Sequence, residues 1–189
     1  MFKMKIDAAE LKKILEKGLA AVPKKSSFQI LECVKLNMAH GVLDVAATDT
    51  DIYVSAQTSN CWDTSDGTIL IDGDDLKLLL KMKGEISIEE KEDKVEIKNG
   101  KKALRMNLKA LDAFPEWPVI TSDVKSGKIQ KKDLLESMIN LAPFLAKDGN
   151  NEFLTAYNVN WNTSRIYACD GYRLGYKKLN TSGGRTGKT

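Results

Sequence analysis

The sequence predicts an α+β protein built on an internal repeat of a short strand, an amphipathic helix and a run of hairpin strands. Three observations predict it. The order begins three times along the 189 residues, around Ile6, Ile71 and Ile129. Each opening strand is followed by apolar residues at the i, i+3, i+4 spacing that lets a helix bury one face. Each helix is followed by segments with apolar and polar residues in alternation, broken by turn residues, the signature of antiparallel hairpins with one buried face.

The first copy opens with the alternating strand Lys3-Met4-Lys5-Ile6-Asp7. Its helix carries Leu11, Ile14, Leu15, Gly18, Leu19 and Val22 on one face and Lys12, Lys13, Glu16 and Lys17 on the other. Pro23 is expected to end it, because its ring cannot continue the backbone ladder. Strands are expected at 30–38, 42–47 and 52–57, the first two joined by a His40-Gly41 turn. The second copy opens with Thr68-Ile69-Leu70-Ile71-Asp72. A short helix starts at Gly73-Asp74-Asp75, where acidic residues suit the positive N-terminal end. Leu76, Leu79 and Leu80 face inward and Lys77, Lys81 and Lys83 outward. Strands at 85–90, 94–98 and 101–108 follow, with Asn99-Gly100 as a hairpin turn. The third copy opens at Lys128-Ile129-Gln130, and its helix places Leu134, Leu135, Met138, Ile139, Ala142 and Leu145 on one face. Strands at 153–161 and 165–169 complete it. Two units in tandem pair their sheets and pack both helices on one side, giving a domain at 1–120. The polar stretch 121–127 reads as a linker, and 128–189 as an incomplete second domain with unpaired strand edges.

Composition narrows the function classes. Hydrophobic residues make up 42% and charged residues 29%, the balance of a globular protein. No stretch approaches the roughly 18 to 20 apolar residues of a membrane span, so no membrane partner is expected. The N-terminus lacks the apolar run of an export signal, so a cytoplasmic setting is expected. Cys33, Cys61 and Cys169 are scattered and odd in number, the pattern of free buried thiols rather than a disulfide framework or zinc site. His40 is the single histidine and sits at a turn. No metal site and no cofactor are expected. The net charge of +3 is mild, yet permits nucleic-acid binding if lysines gather on one surface.

Local sequences sharpen the reading. The hairpin 30–36 and 41–49 ends in Ala47-Thr48-Asp49. Asp112-Ala113-Phe114-Pro115-Glu116-Trp117-Pro118 follows the second copy, and Ala168-Cys169-Asp170-Gly171-Tyr172-Arg173-Leu174 lies in the third. These segments, in this order on this repeat, resemble the bacterial DNA sliding clamps, the DNA polymerase III beta-subunit family. The last resembles that family's Ala-Thr-Asp-Gly-His-Arg-Leu segment, with Cys169 and Tyr172 replacing Thr and His. The resemblance covers residues 1 to about 179. It departs in length, since the family has three such domains per chain and this chain about one and a half.

The resemblance implies the DNA-clamp (processivity) fold, with antiparallel sheets outside and helices lining an inner face. It implies a non-catalytic subunit of a homodimeric ring that tethers the replicative polymerase and other partners to duplex DNA. Phosphate must then attract the inner surface without base readout. Lys12, Lys13, Lys77 and Lys81 on the helices, and Lys24, Lys25, Lys147 and Asn150 in the loops after helices, are the expected DNA contacts. Leu154, Cys169, Gly171, Tyr172, Arg173 and Leu174 are the expected remnant of a pocket for short linear peptides. Its partners in the family are the DNA polymerase III alpha subunit, the clamp loader and other clamp-binding proteins. Leu104 and Met106 mark the strand expected at the ring interface.

Three rivals differ in class. Residues 182–189 resemble a phosphate loop with Ser182 in place of the first glycine, but such a loop needs a helix behind it to receive the phosphate. Asp49 with Asp51, or Asp74 with Asp75, suggest a metal-dependent nuclease, although turn and helix-cap roles suit these residues better. A truncated clamp-like scaffold or decoy, binding partners without encircling DNA, is the third.

Overall fold

The computed structural model describes residues 1–117, 128–147 and 151–182. The expected linker, Asn150 and the phosphate-loop-like tail after residue 182 lie outside them. The chain forms two compact units, Met1–Pro118 and Val119–Thr189.

In the first unit, β1 (Lys3–Asp7) leads into α1 (Ala8–Leu19), whose first turn is capped by the Asp7 carboxylate accepting from the Ala9 N–H at 2.8 Å. Ala8, Leu11, Ile14, Leu15 and Gly18 form the buried face. The helix stops at Leu19, before Pro23, because residues 20–22 already turn away from it. A 3-10 turn at Gln29–Glu32 replaces the start of the first expected hairpin strand. Then come β2 (Cys33–Ala39), β3 (Val42–Thr48), β4 (Tyr53–Thr58) and β5 (Cys61–Ser65). The β2–β3 turn needs positive φ at both central residues, and His40 and Gly41 supply 50° and 76°. β6 (Gly67–Asp72) opens the second repeat and α2 (Gly73–Lys77) follows, capped by Asp72. A 3-10 turn at Leu79–Lys81 precedes β7 (Glu85–Lys91), β8 (Lys94–Asn99) and β9 (Lys102–Asn107).

The two repeats exchange their opening strands. The sheets run β5-β1-β7-β8-β9 and β4-β3-β2-β6, so β1 joins the second repeat's hairpins and β6 joins the first's. All these pairings are antiparallel. Both sheets and α1 share one core around Phe2, Met4, Ile6, Leu11, Leu15, Leu36, Ile88 and Ile97. On the outer face of the second sheet, Phe114 covers Cys33 and Leu70, and Trp117 meets Tyr53 edge-on at 5.1 Å.

In the second unit, β10 (Lys128–Ile129) leads into α3 (Lys131–Leu141), followed by β11 (Asn158–Asn160), β12 (Arg165–Cys169), β13 (Leu174–Lys178) and β14 (Thr181–Ser182). The sheets are β11-β12-β13 and β10-β14. Three expectations change here. Residues 152–154 form a 3-10 turn rather than strand, leaving β11 with three residues. α3 ends at Leu141, with Ala142–Phe144 a 3-10 turn around Pro143. The face of α3 is also rotated: Ser137 and Leu141 are buried and Leu134 and Met138 pack on the core, while Leu135 and Ile139 are exposed. Adjacent apolar pairs at 134–135 and 138–139 admit either phase, and packing on Ile166, Ala168 and Leu179 selects one.

Candidate nucleic-acid interface and peptide site

The lysines expected on the helices are exposed, but three are already partnered. Lys12 Nζ lies 3.8 Å from Glu16, Lys13 Nζ 3.9 Å from Glu10, and Lys77 Nζ 2.7 Å from Asp74. Such pairs share their charge with a carboxylate one helical turn away and offer phosphate a diluted field. Lys81, Lys83, Lys24 and Lys25 are exposed and enter no ion pair among the described residues. α1 packs beside the Leu79–Lys81 turn, so the α1 face and Lys81 belong to neighbouring elements. Lys24 and Lys25 follow α1 directly, where the chain leaves the helix end. Lys147 is exposed in the second unit.

Residues 169–174 form a tight turn between β12 and β13. Asp170 organises it: one carboxylate oxygen accepts from the Tyr172 and Arg173 N–H groups at 3.0 and 2.7 Å. The other accepts from Arg173 Nε and Nη2 at 2.9 and 2.7 Å. The Arg173 guanidinium and these two N–H groups hold the Asp170 carboxyl down to about 2. Gly171 sits at φ 90°, open to glycine at little cost. Arg173 also donates to the Pro143 carbonyl at 3.1 Å and lies over the Phe144 ring at 5.9 Å. Its planar head is therefore fixed across the turn after α3. Leu154 comes close to Gly171, since a Cβ there would meet Leu154 Cδ1 at 3.7 Å. Leu174 pairs with Cys169 across the hairpin and is exposed, and Tyr172 is 98% exposed. The turn thus gathers Leu154, Gly171 and the Cys169–Leu174 hairpin end. Tyr172 stands free in solvent.

The first unit repeats this geometry. Asp49 accepts from the Asp51 and Ile52 N–H groups at 3.1 and 2.7 Å, and Thr50 has φ 82° where Gly171 has 90°. Asp49 is a turn-former, and Asp74 lies in the first turn of α2. Among the described residues no group of three acidic, histidine or cysteine side chains is placed to hold a metal.

β9 is the edge strand of its sheet, but Leu104 and Met106 point into the core, Met106 being buried. The edge offers its backbone together with Ala103, Arg105 and Asn107. Arg105 is tied to Glu96 on β8 at 3.2 Å, and Lys91 and Lys98 each reach the same carboxylate at 3.0 Å. Lys91 first, then Lys98 and Arg105, depress Glu96 to about 2. This four-residue cluster, the Asp170 role and the Pro143–Phe144 platform were not foreseen. Asp170 had a signal in the matching Ala-x-Asp segments at 47–49 and 168–170. The other two depend on cross-strand and helix-end proximity.

The family model "DNA polymerase III beta subunit, N-terminal domain" matches residues 2–120. The beta sliding clamp of Helicobacter pylori is 26% identical over 187 residues, covering 94% of this chain and 49% of the relative. The beta subunit from the DNA polymerase of Streptococcus pyogenes superposes with a TM-score of 0.84 at 17% identity, over 99% of this chain and 51% of that one. The Helicobacter pylori beta clamp bound to a DNA ligase peptide superposes at 0.78 with 21% identity, over 96% and 53%. The chain spans about half the length of the curated relatives it matches. These superpositions show the clamp fold, and by the match over residues 2–120 the chain belongs to the DNA polymerase III beta-subunit family.

Proposed function

We propose that this chain is a sliding-clamp subunit that tethers a replicative polymerase and other partners to duplex DNA without reading its sequence. The family match over residues 2–120 carries the reading. A tether of this kind breaks no bonds, so no residue is assigned a catalytic role, and the setting is the cytoplasm, where bacterial DNA is copied. Lys24, Lys25 and Lys81 are the strongest DNA contacts, because their charge is unshared. Lys12, Lys13 and Lys77 contribute less, and Lys147 and Asn150, the latter outside the described residues, are the contacts proposed in the second unit.

The peptide site is assigned to Leu154, Cys169, Gly171, Tyr172, Arg173 and Leu174. A clamp of this family has been solved with a DNA ligase peptide. In this chain the exposed Leu174 and Tyr172 give an apolar side chain of a linear motif its contacts, with Arg173 held aside by Asp170. The polymerase alpha subunit and clamp loader are the partners of this class. Ring closure is assigned to the free backbone edge of β9.

The test is fluorescence anisotropy with two unrelated duplexes of equal length over a salt series. Equal affinities that fall linearly in log–log form support the tether. A strong preference for one duplex, or no binding at low salt, removes it.

A further inference from the structure

In the β5-β1-β7-β8-β9 sheet, strand alternation sends Ile6, Ile86 and Ile97 into the core of the first unit. It leaves Lys5, Ser87 and Lys98 on the face turned away from that core. These three form a row across adjacent strands, Lys5 opposite Ser87 and Ser87 opposite Lys98. With Lys83, Glu85 and the Asn99-Gly100 turn they line an open concavity of about 620 Å³. Asn99 fixes the chain on either side of Gly84, its Nδ2 donating to the Lys83 and Glu85 carbonyls at 2.8 Å each. Three lysines against one glutamate leave the lining a net charge of +2.

Four donors in this concavity are open to a ligand. Among the described residues Lys83 enters no ion pair and the Ser87 hydroxyl no hydrogen bond. Lys5 and Lys98 are paired, but each to a carboxylate that other cations share. Asp63 lies 3.4 Å from Lys5 Nζ and 3.0 Å from Lys3 Nζ. Glu96 receives Lys98 and Lys91 at 3.0 Å and Arg105 at 3.2 Å. When Lys5 and Lys98 turn toward an anion, Asp63 keeps Lys3 and Glu96 keeps Lys91 and Arg105. Exposed lysine pairs contribute little, so the exchange costs little.

We propose that this concavity binds a phosphate group, held by Lys5, Lys83 and Lys98 with the Ser87 hydroxyl donating between them. Neighbouring strands lie about 4.8 Å apart, so the two flanking ammonium groups reach a single phosphate placed over Ser87. A dianion matches the net charge of the lining, and charge-assisted donors suit its oxygens. Glu85, and Glu89 in the adjoining row, repel an extended polyanion, so duplex DNA is not the fitting occupant. None of the four donors belongs to the set assigned to DNA, and the inference stands apart from the tether. Free phosphate and a phosphorylated side chain share this chemistry.

Amide NMR on the 189-residue chain, titrated with sodium phosphate at constant ionic strength against sodium chloride, tests this. The expected result is saturable shifts at Ser87, Lys98 and Asn99 with a dissociation constant of about 1 mM. Lys83→Ala and Ser87→Ala should each raise that constant about fivefold, while Lys83→Arg leaves it near its original value. Lys83 is exposed and outside the strands, so its variants keep the fold, which unmoved Ile6 and Ile88 amides check. A capped phosphoserine forms the second arm. Binding about tenfold tighter than phosphate assigns the site to a phosphorylated partner, and equal binding to the free anion. Shifts that never saturate, that chloride reproduces, or that ignore both Lys83→Ala and Ser87→Ala overturn the proposal.

Discussion

Gly175 lies buried in β13, and a Cβ built on it meets Leu141 Cδ2 and Phe144 Cδ2 at 2.8 Å each and Phe144 Cγ at 2.9 Å. Carbon atoms rest at about 3.5–4.0 Å, so Gly175→Ala drives its methyl group about 0.7–1.2 Å too deep into two side chains. Neither yields easily. Leu141 is one of the four buried apolar residues of the second unit's core among the described residues, and Phe144 supports the Arg173 guanidinium. Overpacking of this kind costs about 1–3 kcal/mol. Amide exchange followed by mass spectrometry reads the two units separately. The β12 and β13 amides of Gly175→Ala should exchange about 5- to 140-fold faster, at 1.4 kcal/mol per decade, while those of β2 and β8 hold their rates. Unchanged or slower exchange in β13 would refute the claimed close packing of Gly175 on the end of α3. Equal acceleration in the first unit would refute the independence of the two cores.

The lysines divide into two sets that salt distinguishes. Lys24→Ala with Lys25→Ala should reduce the log–log salt slope of duplex binding by about 1.8, at 0.9 per phosphate contact, and Lys12→Ala with Lys13→Ala by less than half of that. Equal reductions would show that the Glu10 and Glu16 pairs do not shield their lysines. Acid should destabilise the fold in a defined window. Glu96 and Asp170 titrate near 2 in the folded chain against 4.5 and 3.8 ordinarily, so their stabilisation is intact above about 4.5 and is lost as pH falls toward 2. Urea midpoints between pH 6 and 2 check this, and the Glu96→Gln variant should show a shallower decline across the same interval. Among the described residues Ser137 Oγ, on α3, is buried without a hydrogen-bond partner, so Ser137→Ala should raise the second unit's stability by about 1 kcal/mol in the same titrations. A loss there would mean the hydroxyl is satisfied.

Much of the fold was legible because its signals are local. The α1 stripe, the opening strands, the His40-Gly41 turn and the Asn99-Gly100 turn each follow from residues within a few positions of one another. The exchange of β1 and β6 between repeats has no local signal. It comes from pairing partners such as Ile6 with Ile86, 80 positions apart, that only the assembled core selects. Short strands escaped for a related reason: β5 and β14 hold place by pairing to β1 and β10, with little hydrophobic pattern of their own. The α3 face was misread because two adjacent apolar pairs fit both phases. At the candidate sites, residue types pointed to segments, yet charge pairing and side-chain direction did not follow from them. Lys12 and Lys13 proved to be paired, and Leu104 and Met106 turned inward, because alternation along an edge strand assigns faces only once the core side is known.

The tether itself is tested most directly by topology. The chain, loaded by a bacterial clamp loader onto nicked circular DNA, is passed over a gel-filtration column at physiological salt before and after the circle is cut. A sliding tether should co-elute with circular DNA and be lost from the linear form, because a ring slides off free ends. Equal retention on both forms would contradict it and leave a surface-bound scaffold in its place.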